Sequence, residues 1–284
     1  MKKFLILLSI FLFVVSSCSI KEPDSKIVTE NLMPNEYIDL LNDIKTYNSS
    51  QDIHVDTKGL FNWFKRHPSF THADLTGFCM GTGAGLLCGA GAFSLVSGLI
   101  LGGLFSIFAL PADLTSSMII PDTTNNLNIA TCVYDNTSQI DVGAAHNYII
   151  TKLFLTDENF LHNWSEDDII RFVIEETSKI FPDSVNINIE NIHLEFDDEI
   201  AEIRANKATE LYENLLISNP NDYDMQIINY YYASASSLPV SEVSEYTSSI
   251  EAIVENSNIT DESKTKVNSA ISLTESSIVL WQGL

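Results

Sequence analysis

Six histidines and four cysteines are the side chains of this sequence best suited to act as nucleophiles, bases or metal ligands. His67 and His72 are five positions apart and Cys79 follows them, a spacing that matches no standard zinc site. We therefore expect solvent-facing imidazoles there. His146 lies beside an apolar stripe at helical spacing, and we expect it to be half-buried and hydrogen-bonded rather than catalytic.

Cys132 and His146, with an asparagine, are the residue types with which thiol hydrolases activate a nucleophile. No local signature surrounds Cys132 in IATCVYDN, and the sequence has no G-x-S-x-G, H-E-x-x-H or phosphate-loop motif. A hydrolase of unknown substrate stays open, and its minimum support would be activity lost in Cys132→Ala or His146→Ala. The sequence favours a non-enzymatic protein without catalytic residue, metal or cofactor.

Two other clusters could bind ligands. The acidic run from Glu195 to Glu202 lacks the spacing and the glycine of a calcium loop, and we interpret it as acids opening a helix at its positive end. The run Tyr230-Tyr231-Tyr232 could stack on a sugar. Helical spacing instead predicts Tyr231 in the core, with Tyr230 and Tyr232 partly exposed.

Cys18 ends a segment typical of secreted proteins. Lys2 and Lys3 open this segment, an apolar run from Phe4 to Val15 follows, and Val15-Ser16-Ser17-Cys18 closes it. A basic start, a short apolar core and a small-residue exit predict a signal peptide over residues 1–17. The run is too short for a membrane-spanning helix, which needs about 20 apolar residues.

Residues 15–18 resemble the lipobox of bacterial lipoproteins, in which a branched apolar residue and two small residues precede a cysteine. The resemblance covers residues 1–18 only. It implies that Cys18 becomes the mature N-terminus and carries several acyl chains, which anchor a protein stably where one chain does not. Ser19 is not the aspartate that retains lipoproteins at the inner membrane, which favours an outer-membrane location. Residues 18–34 are then a flexible tether.

The charge of the chain restricts its partners. There are 38 acidic and 15 basic residues, for a formal net charge of −23. Such a surface repels phosphate backbones, which excludes nucleic-acid binding through a basic footprint. It also repels anionic headgroups, so membrane contact is expected through the N-terminal lipid. The remaining cysteines (Cys79, Cys88 and Cys132) are an odd set. Cys79 or Cys88 could pair with Cys132, but we expect buried free thiols.

An uncharged block from Leu75 to Ala112 holds most of the chain's 12 glycines. Small residues recur there every four positions, which places them on one face of a helix. The first track is Ala73, Gly77, Gly81, Gly85 and Gly89, and the second is Ser94, Gly98, Gly102 and Ser106. Each track predicts a groove in which another helix can approach at backbone distance. The block resembles the glycine-zipper segments of Gram-negative envelope lipoproteins, a resemblance that covers residues 73–110 and implies no activity.

Three arrangements of this block are compatible with its length. A single span over 86–110 would place the acidic C-terminal part on the cytoplasmic side and Lys65-Arg66 outside, against the positive-inside bias. A helical hairpin with arms over 73–89 and 93–110 keeps both flanks on one side. That hairpin could insert into a bilayer or be enclosed by the amphipathic helices that follow. We favour enclosure, because those helices must bury their apolar stripes.

The rest of the chain is predicted to be mainly α, with residues 35–284 as a single helical domain around the Gly-rich apolar hairpin. At most one short β element is expected, over residues 185–196, where apolar and polar residues alternate. Helical spacing occurs over 35–47, 58–67, 138–155, 165–180, 198–217, 222–237, 240–256 and 261–281.

The sequence therefore predicts a lipid-anchored cell-envelope protein with a structural or protein-interaction role, which contacts an envelope protein partner. The alternative is a membrane-active protein, pore-forming or toxin-like, that inserts the Gly-rich hairpin.

Overall fold

The fold is a helical bundle built around the Gly-rich hairpin. The computed structural model describes residues 33–53, 70–84, 92–111, 141–182 and 189–281, and these ranges contain eleven helices and no strand. The helices are α1 (Asn35–Ser50), α2 (Phe70–Ala84), α3 (Ala92–Phe108), α4 (Val142–Thr156), α5 (Phe160–Asn163), α6 (Glu166–Ile180), α7 (Ile189–Arg204), α8 (Ala208–Ser218), α9 (Tyr223–Ala235), α10 (Val240–Asn256) and α11 (Asp261–Trp281).

Helices α2 and α3 form the hairpin, and their contact is the most extensive between any two described helices. Every residue from 70 to 79 in α2 and from 96 to 108 in α3 is buried. The amphipathic helices supply the enclosing layer: α8 and α11 contact α2, while α4, α6 and α7 contact α3. Helices α1, α9 and α10 extend the bundle on the α11 side. No helix in the described ranges combines the length and the apolar character that a membrane crossing requires.

The helix ends follow local sequence signals. Ser165 caps α6 in a reciprocal capping box with Asp168, and the Thr260 hydroxyl accepts a hydrogen bond from the Ser263 amide at 3.1 Å, as expected of an N-cap. The predicted ranges 240–256 and 261–281 agree with α10 and α11. The short helix α5 was not predicted.

The β prediction over 185–196 is wrong for its described part, because residues 189–196 are helical. Ile192, Phe196 and Ile200 of α7 are all buried, a spacing of four that continues the helical stripe. Over a few residues, the apolar positions of a helical stripe can also alternate with polar ones and so resemble a strand. Burial in the bundle shows that the helical spacing is the one that the fold uses.

The single helix predicted over 198–217 is also wrong, since α7 and α8 are separate. Asn206 interrupts them with a left-handed φ of 61°, which asparagine tolerates better than most residues. The Lys207 amide donates to the Glu202 carbonyl at 3.1 Å and closes the end of α7.

Several predicted features lie outside the described residues. They are the signal peptide, Cys18 and its tether, the range 58–67, Gly85, Gly89, Cys88 and Cys132.

Candidate functional site

The small-residue face of α2 lies directly on the backbone of α3. A Cβ atom at Gly81 would stand 2.6 Å from the Ser97 carbonyl oxygen and 2.7 Å from the Gly98 Cα. One turn earlier, Gly77 faces the Leu101 carbonyl and the Gly102 amide with equally little space. Side chains larger than hydrogen would therefore separate the two helices, whose contact depends on shape.

On another face, α2 presents Asp74, whose side chain is completely buried. Its Oδ1 lies 2.9 Å from Nε2 of His146 in α4. Its Oδ2 accepts a hydrogen bond from the Ser277 hydroxyl and another from the Trp281 indole N–H at 3.3 Å, both in α11. Three donors from two helices thus converge on one carboxylate, so both of its buried oxygens have hydrogen-bond partners.

The surrounding amide fixes the protonation of His146. The Asn147 side-chain nitrogen donates to the Ser276 carbonyl oxygen at 3.0 Å, so Asn147 turns its Oδ1 toward His146 Nδ1, also at 3.0 Å. An amide oxygen only accepts, and the Asp74 carboxylate at Nε2 also accepts. Both ring nitrogens therefore carry hydrogen, which makes His146 an imidazolium paired with Asp74.

The pKa of His146 agrees with this assignment. Burial lowers the pKa, but the Asp74 charge and the hydrogen bonds to Asp74 and Asn147 outweigh burial, and the net result is a pKa above the ordinary 6.5. The expectation that His146 is hydrogen-bonded is confirmed, whereas its predicted half-burial is wrong: the residue is fully buried. Helix α4 packs against α3, α6 and α11, and the His146 ring contacts Asp74 of α2; the stripe of α4 alone does not reveal these neighbours.

Ser277, Asp74 and His146 are the residue types of a serine hydrolase, but their order differs from that of a catalytic triad. The carboxylate lies between serine and histidine, so the serine hydroxyl donates to Asp74 and the histidine is not its base. All three side chains are 0% exposed, and a substrate could not reach them without opening the bundle. The arrangement joins α2, α4 and α11 through hydrogen bonds, and it holds these three helices in register rather than carrying out a reaction.

The contact of α4 with α11 depends on a glycine that the sequence analysis did not single out. Gly143 faces the Ser272 carbonyl oxygen so closely that a Cβ atom would clash with backbone. Its amide donates to the Ser272 hydroxyl at 3.1 Å, and that hydroxyl donates to Asp141, the N-cap of α4. The small run Gly143-Ala144-Ala145 was the available signal.

Two expectations about aromatic and histidine side chains are wrong. His72 is 2% exposed, not solvent-facing: its ring lies 5.0 Å from the Tyr232 ring and its Nδ1 lies 3.1 Å from the Thr209 hydroxyl. Burial lowers the pKa of His72 to about 3, so it is neutral. Tyr232 is 1% exposed, and the rings of His72 in α2 and Tyr212 in α8 lie beside its ring. The buried Tyr231 is confirmed.

Cys79 in α2 is a buried free thiol, as predicted. Burial raises the pKa of this thiol to about 12, which removes the thiolate needed for nucleophilic attack or metal binding at neutral pH.

The acidic run 195–202 does not open a helix. Helix α7 begins six residues earlier at Ile189, so these acids lie from its middle toward the negative C-terminal end of the helix. One of them, Asp197, meets His193 and Glu166, and the three offer ligand atoms that lie within 4.8 Å of one another. The sequence analysis missed this group because its members come from two helices.

A shallow, open pocket of about 370 Å³ lies along α6. Trp164 and Phe172 provide its apolar wall, with ring centroids 5.6 Å apart. The charges at its rim include Arg171 and Asp168, which pair with each other at 3.2 Å. Glu175 also lines the pocket, so its rim holds two acidic groups and one basic group.

Neither the protein-family models, nor the curated proteins, nor the solved structures with which the chain was compared gave a match.

Proposed function

We propose that this chain is a lipid-anchored protein of the bacterial cell envelope with a structural or protein-interaction role. The observation that carries the proposal is the sequence Val15-Ser16-Ser17-Cys18 after a basic start and an apolar run. Acylated Cys18 holds the chain to the membrane, most simply the outer membrane. The first described helix begins at Asn35, so residues 18–34 form the tether, which reaches at most about 60 Å when fully extended.

The internal use of the hairpin supports this role. The surfaces of α2 and α3 that could contact lipid are buried against other helices, and the Asp74–His146 pair joins α2 to the surrounding layer. The membrane attachment is then the task of the lipid, while the acidic bundle remains free for a protein partner. Because this chain has a formal net charge of −23, its partner presents a basic or neutral surface.

Metabolic labelling with a radioactive fatty acid tests the anchor. Wild type is expected to incorporate label and to fractionate with membranes, and Cys18→Ser is expected to lose both properties. Cys132→Ser is the matched control and should retain them. Label that persists in Cys18→Ser, or wild type without label, contradicts the proposal.

Crosslinking in intact cells tests the interaction role. A partner in the envelope predicts a crosslinked species of fixed mass above that of the chain itself. If only the monomeric chain is recovered over the whole range of crosslinker, the role in protein interaction is contradicted.

A membrane-active protein is the second candidate, and one observation favours it. Among the described residues of α2 and α3, Asp74 is the one charged side chain. Without the Asp74 charge, the described part of the hairpin would be uncharged and better suited to a bilayer. Purified protein is then expected to release dye from liposomes, and Asp74→Ala to release more. Absence of leakage from both proteins over a range of pH would contradict it.

A further inference from the structure

A histidine with carboxylates on both sides lies on the surface where α6 begins beside α7. His193 Nδ1 is 2.7 Å from Asp197 Oδ1 and 3.7 Å from Glu166 Oε1. On the other edge of the ring, Nε2 lies 3.0 Å from Asp167 Oδ1. The two edges of the imidazole therefore have different surroundings, with two carboxylates at Nδ1 and one at Nε2.

Local structure holds these groups in place. His193 and Asp197 are four residues apart on one face of α7, which brings their side chains together. Glu166 is the first residue of α6, immediately after the capping box of Ser165. The position of one ligand group is thus fixed by a helix start and that of the other two by a helix face.

The outer contacts match those of known metal ligands. A histidine that binds a metal through one nitrogen commonly donates its other N–H to a carboxylate, which orients the ring. Asp167 has that position at Nε2. Arg204 contacts the second oxygen of Glu166 at 2.8 Å, which leaves Glu166 Oε1 directed toward Nδ1.

The charges at the cluster are unbalanced. Three carboxylates (Glu166, Asp167 and Asp197) face a single permanent cation, Arg204, so their excess negative charge favours a divalent cation. The His193 and Glu166 side chains are 30% and 25% exposed, and Asp197 is 62% exposed, so an ion can enter from solvent.

We propose that Glu166, His193 and Asp197 form a surface binding site for a divalent first-row transition metal, with Zn²⁺ as the representative ion. One imidazole nitrogen and two carboxylate oxygens suit Zn²⁺ or Co²⁺, whereas Ca²⁺ and Mg²⁺ prefer oxygen ligands alone. Binding replaces the proton at His193 Nδ1, which is released to solvent. Water completes the coordination. The site is independent of the anchoring role proposed above.

Titration of the full chain in detergent with Co²⁺, after chelator treatment and dialysis, tests the site. Wild type is expected to develop visible d–d bands that saturate at one ion per chain and that Zn²⁺ abolishes by competition. His193→Ala, Asp197→Asn and Glu166→Gln are each expected to lower the affinity by about tenfold or more. His162→Ala and Asp198→Asn, which remove an exposed histidine and an exposed acid nearby in sequence, are the matched controls and should bind as wild type does.

Circular dichroism of each variant shows whether the bundle is retained. If His193→Ala unfolds, Asp197→Asn and Glu166→Gln still test the site, because an amide has nearly the same shape as the carboxylate that it replaces. Competition by Ca²⁺ as strong as that by Zn²⁺ would overturn the assigned metal class. Binding that all three variants leave unchanged, or no d–d bands below the concentration at which free imidazole binds Co²⁺, would overturn the site. Cys18→Ser is expected to bind metal normally, so failure of the anchor and failure of the site are distinguishable.

Discussion

Helix α2 contacts its neighbours in two different ways. Toward α3 it presents glycines, and Gly77 and Gly81 lie on backbone atoms of that helix. Toward α4 and α11 it presents Asp74, which accepts hydrogen bonds from side chains of both helices. One contact is specified by the absence of side chains, and the other by a buried charge whose partners must all be present.

This difference determines what each contact tolerates. The contact between the two backbones contains no titratable group, but an added methyl group has no space there. A buried ion pair accepts no change of charge on either partner, because the remaining charge would be desolvated and unpaired. The glycine face is therefore sensitive to size and the Asp74 face to charge and pH.

The largest effect is expected from Asp74→Ala. Removing the carboxylate leaves the His146 imidazolium buried without its partner, which costs about 3–5 kcal/mol of unfolding free energy. Urea denaturation followed by circular dichroism measures the change. Asp198→Ala, an exposed acid on α7, is the control and should change stability by less than about 0.5 kcal/mol. Equal effects of the two variants would mean that the Asp74 network does not hold the hairpin.

Gly81→Ala tests the face that depends on shape. The new methyl group would meet the Ser97 carbonyl, and we expect a loss of about 1–3 kcal/mol. Gly83→Ala, two residues later in the same helix, has nothing within 4 Å of the added atom, and the higher helix propensity of alanine should raise stability by up to about 1 kcal/mol. The same denaturation measurement applies, and opposite signs are expected. A gain in Gly81→Ala would refute the close approach of the two helices.

The pH dependence of stability should distinguish the faces further. The pKa of His146 is raised in the folded state, so the stability it contributes is complete below about 6.5 and is lost as the pH rises through the folded value. For one proton the slope is at most about 1.4 kcal/mol per pH unit. His146→Gln should lose this slope above pH 6.5 and Gly81→Ala should keep it, in denaturation curves recorded at several pH values.

Glu251 on α10 provides a contrast to Asp74, because it is a carboxylate whose charged neighbours include other acids. Partial burial raises the pKa of Glu251 to about 7, and the charges of Glu275, Asp141 and Glu255 add to the effect. A raised carboxyl pKa makes the folded state bind more protons, so stability falls from pH 4.5 to 7 and the penalty remains above 7. Glu251→Gln should stabilise at pH 8, by less than about 1 kcal/mol since solvent screens the site, and not at pH 4.5. A gain of equal size at both pH values would point to packing rather than charge.

Much of the fold could be predicted where local pattern and tertiary environment agree. The ranges of α10 and α11 and the caps at Ser165 and Thr260 follow from short-range signals, since capping and helical stripes involve residues within a few positions of each other. The strand prediction failed over residues 189–196 because an alternating stretch and a helical stripe contain the same apolar residues, and only burial against α3 distinguishes them.

The candidate sites could not be predicted in the same way. Asp74 and His146 are 72 positions apart, and Glu166 and His193 are on different helices. Nothing in the sequence near Asp74 distinguishes it from a solvated acid at a helix start.

Sequence alone determined the helical class, the acidic surface, the uncharged Gly-rich segment and the predicted lipidation motif, because each depends on composition or on spacing within one segment. Tertiary structure decided which polar groups become partners and which are enclosed. Burial and hydrogen bonding depend on the other elements that surround a residue, and for Asp74 those elements are α4 and α11, far along the chain.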